Sequence, residues 1–243
     1  MFTVEYRTRV REELVEKARQ DPRIESAAAV GGSAEGEGDR WSDLDLTFGV
    51  RGEARDEVLA DWTRDLRSTF GAVTLFDLPF LSSVFRVFLM PGSLQVDLSF
   101  TPATDFGPLG PRFALLFGSA VERKLPPPAS PRQEFGLAAH HAVRARYCIA
   151  RGRLWQAEYW ISQVRDHALL LACRRLGLPT DNGRGFDALP DQIRTKAEQA
   201  LVNAIDAQDL MRALRSASEL LFAESSVHED GEKIEGLLYE ILD

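Results

Sequence analysis

The stretch 30–46 constrains the fold more than any other part of the chain, since it reads as strand, glycine turn, polar loop and strand. After the loop, the segment 43–48 (DLDLTF) alternates polar and apolar residues, which is typical of a half-buried strand. Side chains at positions i and i+2 of a strand point to the same face, about 7 Å apart. Asp43 and Asp45 are therefore expected to direct two carboxylates to one point, while the leucines beside them face the core.

The residue types in this stretch predict a nucleotide and metal site. Two adjacent carboxylates repel each other unless a cation neutralises them, and a site made of oxygen ligands suits Mg²⁺. Gly31 and Gly32, just upstream, allow a positive φ and close backbone approach, which leaves amide N–H groups free to cradle phosphate. The Ser33 hydroxyl is a further donor.

A third carboxylate is expected on a hairpin further along the chain. Two apolar runs, 84–90 and 94–100, flank a Pro-Gly-Ser turn, and Asp97 lies on the second arm, which again alternates. Three roles are open for Arg86 on the first arm: it neutralises an acid, it reaches a phosphate, or it lies on a solvated face. Asp77 is expected in a turn beside the Leu-Pro dipeptide that follows it.

These residues resemble the DNA polymerase β-like nucleotidyltransferase superfamily, whose signature is a Gly-Ser turn, a spacer of about ten residues, Asp-x-Asp on a strand and a later carboxylate. The resemblance implies transfer of a nucleoside monophosphate from an NTP such as ATP, with release of pyrophosphate and Mg²⁺ as the cofactor. Asp43, Asp45 and Asp97 would be the catalytic and metal-binding residues. The implied nucleotide-binding residues are Gly31, Gly32, Ser33, Arg40 and Ser42.

The chain is expected to be an α+β protein of two domains. A proline-rich linker at 125–131 separates residues 1–125, a nucleotidyltransferase domain with a mixed sheet flanked by helices, from residues 126–243, a helical bundle. The expected helices of the bundle cover 132–151, 154–176, 189–205, 207–222 and 232–242.

This domain order resembles the antibiotic-modifying branch of the superfamily, which acts on aminoglycosides or lincosamides. It implies a small-molecule acceptor with a hydroxyl group and a role in antibiotic resistance. Five arginines of the bundle either meet the triphosphate or acceptor, or pair with nearby acids on solvated faces. They are Arg144, Arg146, Arg151, Arg153 and Arg165.

Composition limits the partners. A net charge of −8 argues against broad binding of nucleic acid and suits a cationic small substrate, although a local basic patch stays open. Cys148 and Cys173 lack metal-ligand spacing and are expected to be buried free thiols. No signal peptide, lipidation motif or long apolar run is visible, so we expect a cytoplasmic protein without a membrane partner, either a monomer or a homodimer.

One departure from the superfamily leaves the contact to the outer phosphates open. Relatives often carry an arginine soon after the glycine turn, whereas this loop contains Glu35, Glu37 and Asp39, with Arg40 near its end.

Two alternatives to a small-molecule nucleotidyltransferase stay open. They are an enzyme that modifies a protein or tRNA, and a non-catalytic, antitoxin-like interaction module. The acidic charge counts against tRNA, and the complete set of aspartates counts against the module. Whether one or two metals bind, and whether Asp97 is a ligand or a general base, stays open.

Overall fold

The structure is a computed structural model that describes residues 1–34 and 39–242, with Ser33 described by its backbone alone. The chain divides into two units, Met1–Pro126 and Pro127–Asp243. The first unit contains both helices and strands, and the described part of the second is helical. The α+β fold class expected from the sequence is confirmed.

The first unit is a mixed sheet with helices. Its elements in chain order are α1 (Val4–Gln20), β1 (Ile24–Val30), β2 (Leu44–Val50), α2 (Arg55–Phe70), β3 (Val73–Phe80), β4 (Ser83–Met90), β5 (Leu94–Pro102) and β6 (Phe113–Phe117). The described strands lie in the order β3-β4-β5-β2-β1-β6. Strands β2 and β5 run parallel, and the other described neighbours run antiparallel.

Local signals in the sequence set the ends of the two helices. The Oγ1 of Thr3 accepts a hydrogen bond from the backbone N–H of Tyr6 at 3.2 Å, so Thr3 caps the start of α1. Helix α2 ends at Gly71, which has the left-handed φ of 66° that glycine adopts without strain. Both helices bury one stripe, represented by Leu14 and Trp62, against the same face of the sheet.

Trp62 is at the centre of this core. Its side chain is 0% exposed, and its ring centroid lies 4.8 Å from that of Phe48 and 5.5 Å from that of Phe100. Its indole N–H donates to Asp21 Oδ2 at 3.1 Å. Hydrogen bonds from Arg23 are the main reason that the pKa of Asp21 falls to about 2. The apolar stripe of α2 thus packs as core, and the one polar atom of Trp62 is paired.

The opposite face of the sheet is polar along β2 and β5. Ser99 Oγ donates to Thr47 Oγ1 at 2.7 Å, and both residues are buried. Phe106 covers the far end of this face, where an added Cβ on Gly49 would lie 3.0 Å from its ring. The near end of the same face carries the aspartates.

The second unit contains helices packed around a separate core. In the described residues they are α3 (Pro131–Ala150), α4 (Leu154–Arg175), α5 (Asp191–Gln199), α6 (Ala207–Phe222) and α7 (Gly231–Leu242). Ser130 caps α3 by accepting a hydrogen bond from the backbone N–H of Gln133. Cys148 and Cys173 are buried free thiols in this unit, as expected.

Helix α5 is shorter than the sequence pattern predicts. It ends at Gln199 instead of continuing to Ile205. The carboxylate of Asp209 accepts hydrogen bonds from the backbone N–H groups of Asn203 and Ala204, and Asp206 caps α6. Apolar spacing alone missed this break because carboxylates of the next helix hold the intervening residues in a non-helical conformation.

Several charged side chains of the second unit, among them Arg146, Arg165 and His167, have partners within it. Arg146 donates to the backbone carbonyl of Ile241 at 2.8 Å, and the Arg165 guanidinium pairs with Asp166 at 3.0 Å. His167 Nδ1 lies 2.7 Å from Glu134 Oε2.

His141 is buried beside His167, with 5.3 Å between the ring centroids. Burial, together with the neighbouring histidines His167 and His140, lowers the pKa of His141 to about 4.

None of the helices in residues 1–34 and 39–242 is both long enough and apolar enough to cross a membrane.

Replacing Trp62 by alanine tests the core of the first unit. We expect Trp62→Ala to lower the free energy of unfolding by about 3–5 kcal/mol, because a large cavity forms and Asp21 loses a donor. Trp155→Ala is the matched control, since Trp155 is 75% exposed, and it should change the free energy little. Urea unfolding followed by circular dichroism measures both. Equal effects would contradict the central role of Trp62.

Candidate functional site

The site begins with the parallel pairing of β2 and β5. In this register Asp45 lies directly opposite Asp97, with Leu46 opposite Leu98 on the next position. Residues paired across neighbouring strands share a face, so the two aspartates project together while both leucines enter the core. Strand β1 ends at the same end of the sheet, which places its following glycine turn beside them.

Asp43 joins the two strand aspartates. It precedes β2 by one residue instead of lying within the strand as the sequence alternation suggested. One carboxylate oxygen from each of Asp43, Asp45 and Asp97 lies within 4.8 Å of the others, and all three residues are half-buried. Three convergent carboxylates match the ligand preference of a hard divalent cation such as Mg²⁺, so the donor set fits a metal of this kind.

The environment of Asp97 is unfavourable for its negative charge. Burial raises its pKa to about 6, a hydrogen bond from Gln95 opposes this rise, and the charge of Asp43 adds to it. The amide of Gln95 donates to both carboxylate oxygens, at 3.1 and 3.3 Å. A bound cation would relieve the repulsion between Asp43 and Asp97.

The glycine turn contacts the aspartates directly. It forms a short 3₁₀ turn over Gly31–Ala34. Gly31 has a φ of 58°, and a Cβ at this position would lie 2.5 Å from Asp45 Oδ2. The turn therefore needs glycine for two independent reasons, backbone conformation and the approach of the carboxylate.

Ser42 and Arg40, predicted from the resemblance to bind nucleotide, have local contacts. Ser42 Oγ donates to Asp39 Oδ1 at 3.0 Å and accepts from the backbone N–H of Asp39 at 3.1 Å. The Arg40 guanidinium lies over the Trp41 ring, 4.2 Å from its centroid. The backbone N–H of Trp41 and the Ser42 hydroxyl lower the pKa of Asp39. Ser42 also approaches the turn, since a Cβ on Gly32 would be 3.7 Å from its hydroxyl.

Arg7 supports the site although nothing in the sequence motif singles it out. This residue is buried, and its guanidinium donates to the backbone carbonyls of Asp39 at 2.6 Å and Ser42 at 2.8 Å. Arg7 thereby ties α1 to the segment that leads into Asp43. The signal was present in the sequence, because Arg7 lies three residues before Val10 on the buried stripe of α1, where a charged residue is unusual.

Arg86 and Asp77 pair with each other. The Arg86 guanidinium forms two hydrogen bonds with the Asp77 carboxylate, both at 2.6 Å, and a third with Thr63 Oγ1. Asp77 lies within β3, so its assignment to a turn was wrong. The Leu-Pro dipeptide misled because proline is compatible with a strand at the edge of a sheet. Of the alternatives open for Arg86, the structure shows the neutralisation of an acid, and this pairing lowers the pKa of Asp77.

Part of the predicted phosphate loop lies outside the described residues. This holds for Glu35 and Glu37 and for the side chain of Ser33.

Asp97→Asn should stabilise the metal-free protein at neutral pH. The folded state holds a proton on Asp97 up to about pH 6, whereas the unfolded state loses it near pH 3.8. Stability from this group is therefore greatest below pH 4 and falls as the pH rises through 6. We expect the free energy of unfolding of the variant to exceed that of the wild type by about 1–2 kcal/mol at pH 7, which is less than the full pKa difference implies because solvent screens the partly exposed carboxylate.

Urea unfolding in EDTA at pH 4 to 8 measures this difference, with the exposed Asp56→Asn as the matched control. If the difference in free energy of unfolding between Asp97→Asn and the wild type does not grow between pH 4 and 6, the charged form of Asp97 is not destabilised in the folded protein.

Gly31→Ala tests the contact between the turn and Asp45. Gly52 has a similar φ of 54°, but a Cβ there would meet nothing within 4 Å, so Gly52→Ala is the matched control. Both variants should lose about 1–2 kcal/mol of stability from the left-handed conformation. We expect only Gly31→Ala to weaken the binding of Mn²⁺, measured by electron paramagnetic resonance, because its methyl group displaces the carboxylate. Equal metal binding by both would show that the turn does not position Asp45.

Comparisons with known proteins find similarity among solved structures. No family model and no curated protein matches the sequence. The chain is similar to a solved structure described as an aminoglycoside 6-adenyltransferase from Bacillus subtilis. The similarity covers 99% of each chain, with a TM-score of 0.42 and 12% sequence identity. A likeness this distant does not assign a function to the site.

Proposed function

We propose that the protein is a Mg²⁺-dependent nucleotidyltransferase that moves a nucleoside monophosphate from an NTP to a hydroxyl of a small molecule. The observation that carries this proposal is the convergence of Asp43, Asp45 and Asp97 next to a glycine turn. Phosphoryl transfer requires two parts, carboxylates that hold a divalent cation and backbone N–H groups that bind phosphate.

Asp43 and Asp45 would hold the metal, with Asp97 completing the set. Two of these side chains come from paired strands, so their spacing is set by the sheet and not by a loop. When bound, Mg²⁺ would neutralise charge on the phosphate oxygens and on the carboxylates together. The rigid register supplies the fixed geometry that such a site needs.

The turn Gly31–Ala34 would hold the phosphates. Successive N–H groups around a residue with positive φ form a concave donor set that suits an anion. Arg7 would support this function from behind, since it fixes the segment 39–42 through two carbonyls. Loss of Arg7 would therefore misplace Asp43 without removing any group that contacts the substrate.

The reaction would be an in-line displacement at the α-phosphorus. The acceptor oxygen forms a bond to phosphorus as the bond to the bridging oxygen of the β-phosphate breaks, and pyrophosphate leaves with that electron pair. The proton of the acceptor hydroxyl passes to a base, and the Asp97 carboxylate is the group that we propose for this role. Its contact with Gln95 would hold it in position.

The aspartates supply the first test. We expect Asp43→Asn and Asp45→Asn each to reduce pyrophosphate release from Mg-NTP, with water as the acceptor, by about 100-fold or more, because one metal ligand loses its charge. The control is Asp56→Asn, which removes an exposed carboxylate in the first turn of α2. Calorimetric titration of ATP, GTP, CTP and UTP with Mg²⁺ reports binding without turnover.

The measurement separates a catalytic site from an accidental cluster. Metal-dependent NTP binding that disappears in Asp43→Asn and Asp45→Asn supports the proposal, provided that the free energy of unfolding of both variants equals or exceeds that of the wild type. An Asp45→Asn protein that binds and turns over Mg-NTP as the wild type does would refute it. If no NTP binds the wild type, the nucleotidyltransferase assignment fails.

A further inference from the structure

The row of residues that contains the aspartates continues across the sheet to its edge. The register pairs Asp45 with Asp97, Asp97 with Val87, and Val87 with Phe76. Directly paired residues share a face, so all four project from the same side of the sheet. With strands about 4.8 Å apart, Phe76 lies about 10 Å from Asp97 across the sheet.

Neighbouring rows extend this edge as an apolar surface. Leu78 pairs with Phe85, which pairs with Ser99, and Leu89 pairs with Gln95 beside Asp97. Phe76, Leu78 and Phe80 are 54%, 55% and 43% exposed. We call Phe76, Leu78, Phe80, Phe85 and Leu89 the apolar platform.

On β3 the apolar side chains are exposed to solvent and the charged side chain is paired, which is the reverse of an ordinary edge strand. The charged side chain of Asp77 lies on the other face, where it accepts two hydrogen bonds from Arg86, which also donates to Thr63. The apolar side chains face away from the core of α1 and α2 and toward the side of the aspartates. Folding does not require this exposure, because the buried core of the unit is on the opposite face.

The platform and the glycine turn lie on opposite sides of the aspartates. In the strand order β3-β4-β5-β2-β1, the platform occupies β3 and β4, the aspartates β5 and the start of β2, and the turn follows β1. An in-line displacement needs the attacking oxygen and the leaving pyrophosphate on opposite sides of phosphorus. With the phosphates over the turn, the acceptor hydroxyl must come from the side of the platform.

We propose that the apolar platform binds the acceptor, and that the acceptor is an alcohol carried on an apolar ring system and not a polycationic amino sugar. This inference rests on the proposed nucleotidyltransferase function. Ring faces of Phe76 and Phe80, together with Leu78, would contact the body of the acceptor. Its hydroxyl would then reach the α-phosphorus beside Asp97, the aspartate on the strand nearer to the platform.

A second copy of the chain fits this surface less well. Extension of the sheet would use the backbone of β3, and Pro79 within that strand has no N–H to donate. Proline and a charged residue on an edge strand both disfavour the addition of another strand. The apolar side chains project from the face of β3, on the side of the aspartates, and not from its hydrogen-bonding edge.

The test measures binding of two probes to the full chain. The probes are 2-naphthylmethanol, an apolar bicyclic alcohol, and kanamycin, a polycationic amino sugar, each titrated by ligand-observed NMR. Mg²⁺ and a non-hydrolysable analogue of the preferred NTP are present throughout. The variants are Phe76→Gln and Leu78→Gln. Leu115→Gln is the matched control, because Leu115 is 45% exposed on β6, at the opposite edge of the same sheet.

We expect 2-naphthylmethanol to bind the wild type and Leu115→Gln equally, and to bind each platform variant about tenfold or more weakly. Binding of the NTP analogue should be unchanged in all four proteins. The platform residues are exposed, so the variants should unfold at the same urea concentration as the wild type.

Several results would overturn the inference while leaving the proposed function intact. These are metal-dependent NTP binding without any binding of 2-naphthylmethanol, and kanamycin binding that Phe76→Gln or Leu78→Gln weakens. Weaker binding of the NTP analogue to Phe76→Gln would place the nucleobase on the platform. A wild-type dimer that Leu78→Gln dissociates in sedimentation velocity would make the platform a subunit interface. Absence of NTP binding to the wild type would instead refute the proposed function itself.

Discussion

The parallel pairing of β2 with β5 is the constraint on which the candidate site depends. Parallel neighbours require a crossover, which here contains α2, β3 and β4. This crossover brings the beginnings of both strands to one end of the sheet. Asp45 and Asp97, 52 positions apart in the sequence, become direct neighbours as a result. Leu46 and Leu98, one position later in the same register, enter the core and hold the pairing in place.

The two faces of this sheet have different physical characters. The face toward α1 and α2 is apolar and centred on Trp62, Phe48 and Phe100. The other face carries the aspartates, then a hydroxyl pair, then Phe106 as a cover. Burial on this second face destabilises the charged form of Asp97, as its raised pKa shows. Stability is thus supplied by one face, while the other tolerates a cost that a bound cation would offset.

Much of the first unit could be predicted from the sequence because its strands alternate. Alternation predicted that Asp43 and Asp45 would share a direction and that Asp97 would point out of the core. It could not give the neighbour of each strand, because pairing between distant segments is set by packing and not by local pattern. The extension of the aspartate row to Phe76 was therefore invisible in the sequence.

Long-range hydrogen bonds explain the remaining differences. The guanidinium of Arg7 binds backbone carbonyls more than thirty residues away in the sequence. Asp77 looked like a turn residue until Arg86 on the neighbouring strand paired with it. Helix α5 stops early because Asp209 binds the backbone that would have continued it. In each case a side chain from another element decides the local structure.

The exposed position of the side chains on β3 has an evolutionary consequence. Residues in a core are constrained by their neighbours, so a change there usually costs folding free energy. Phe76, Leu78 and Phe80 project from an edge strand, and they contribute little to the buried core that holds the sheet together. Selection can therefore exchange them one at a time while the aspartates and the glycine turn stay fixed. A chain built this way can drift in what it recognises without first acquiring compensating stability.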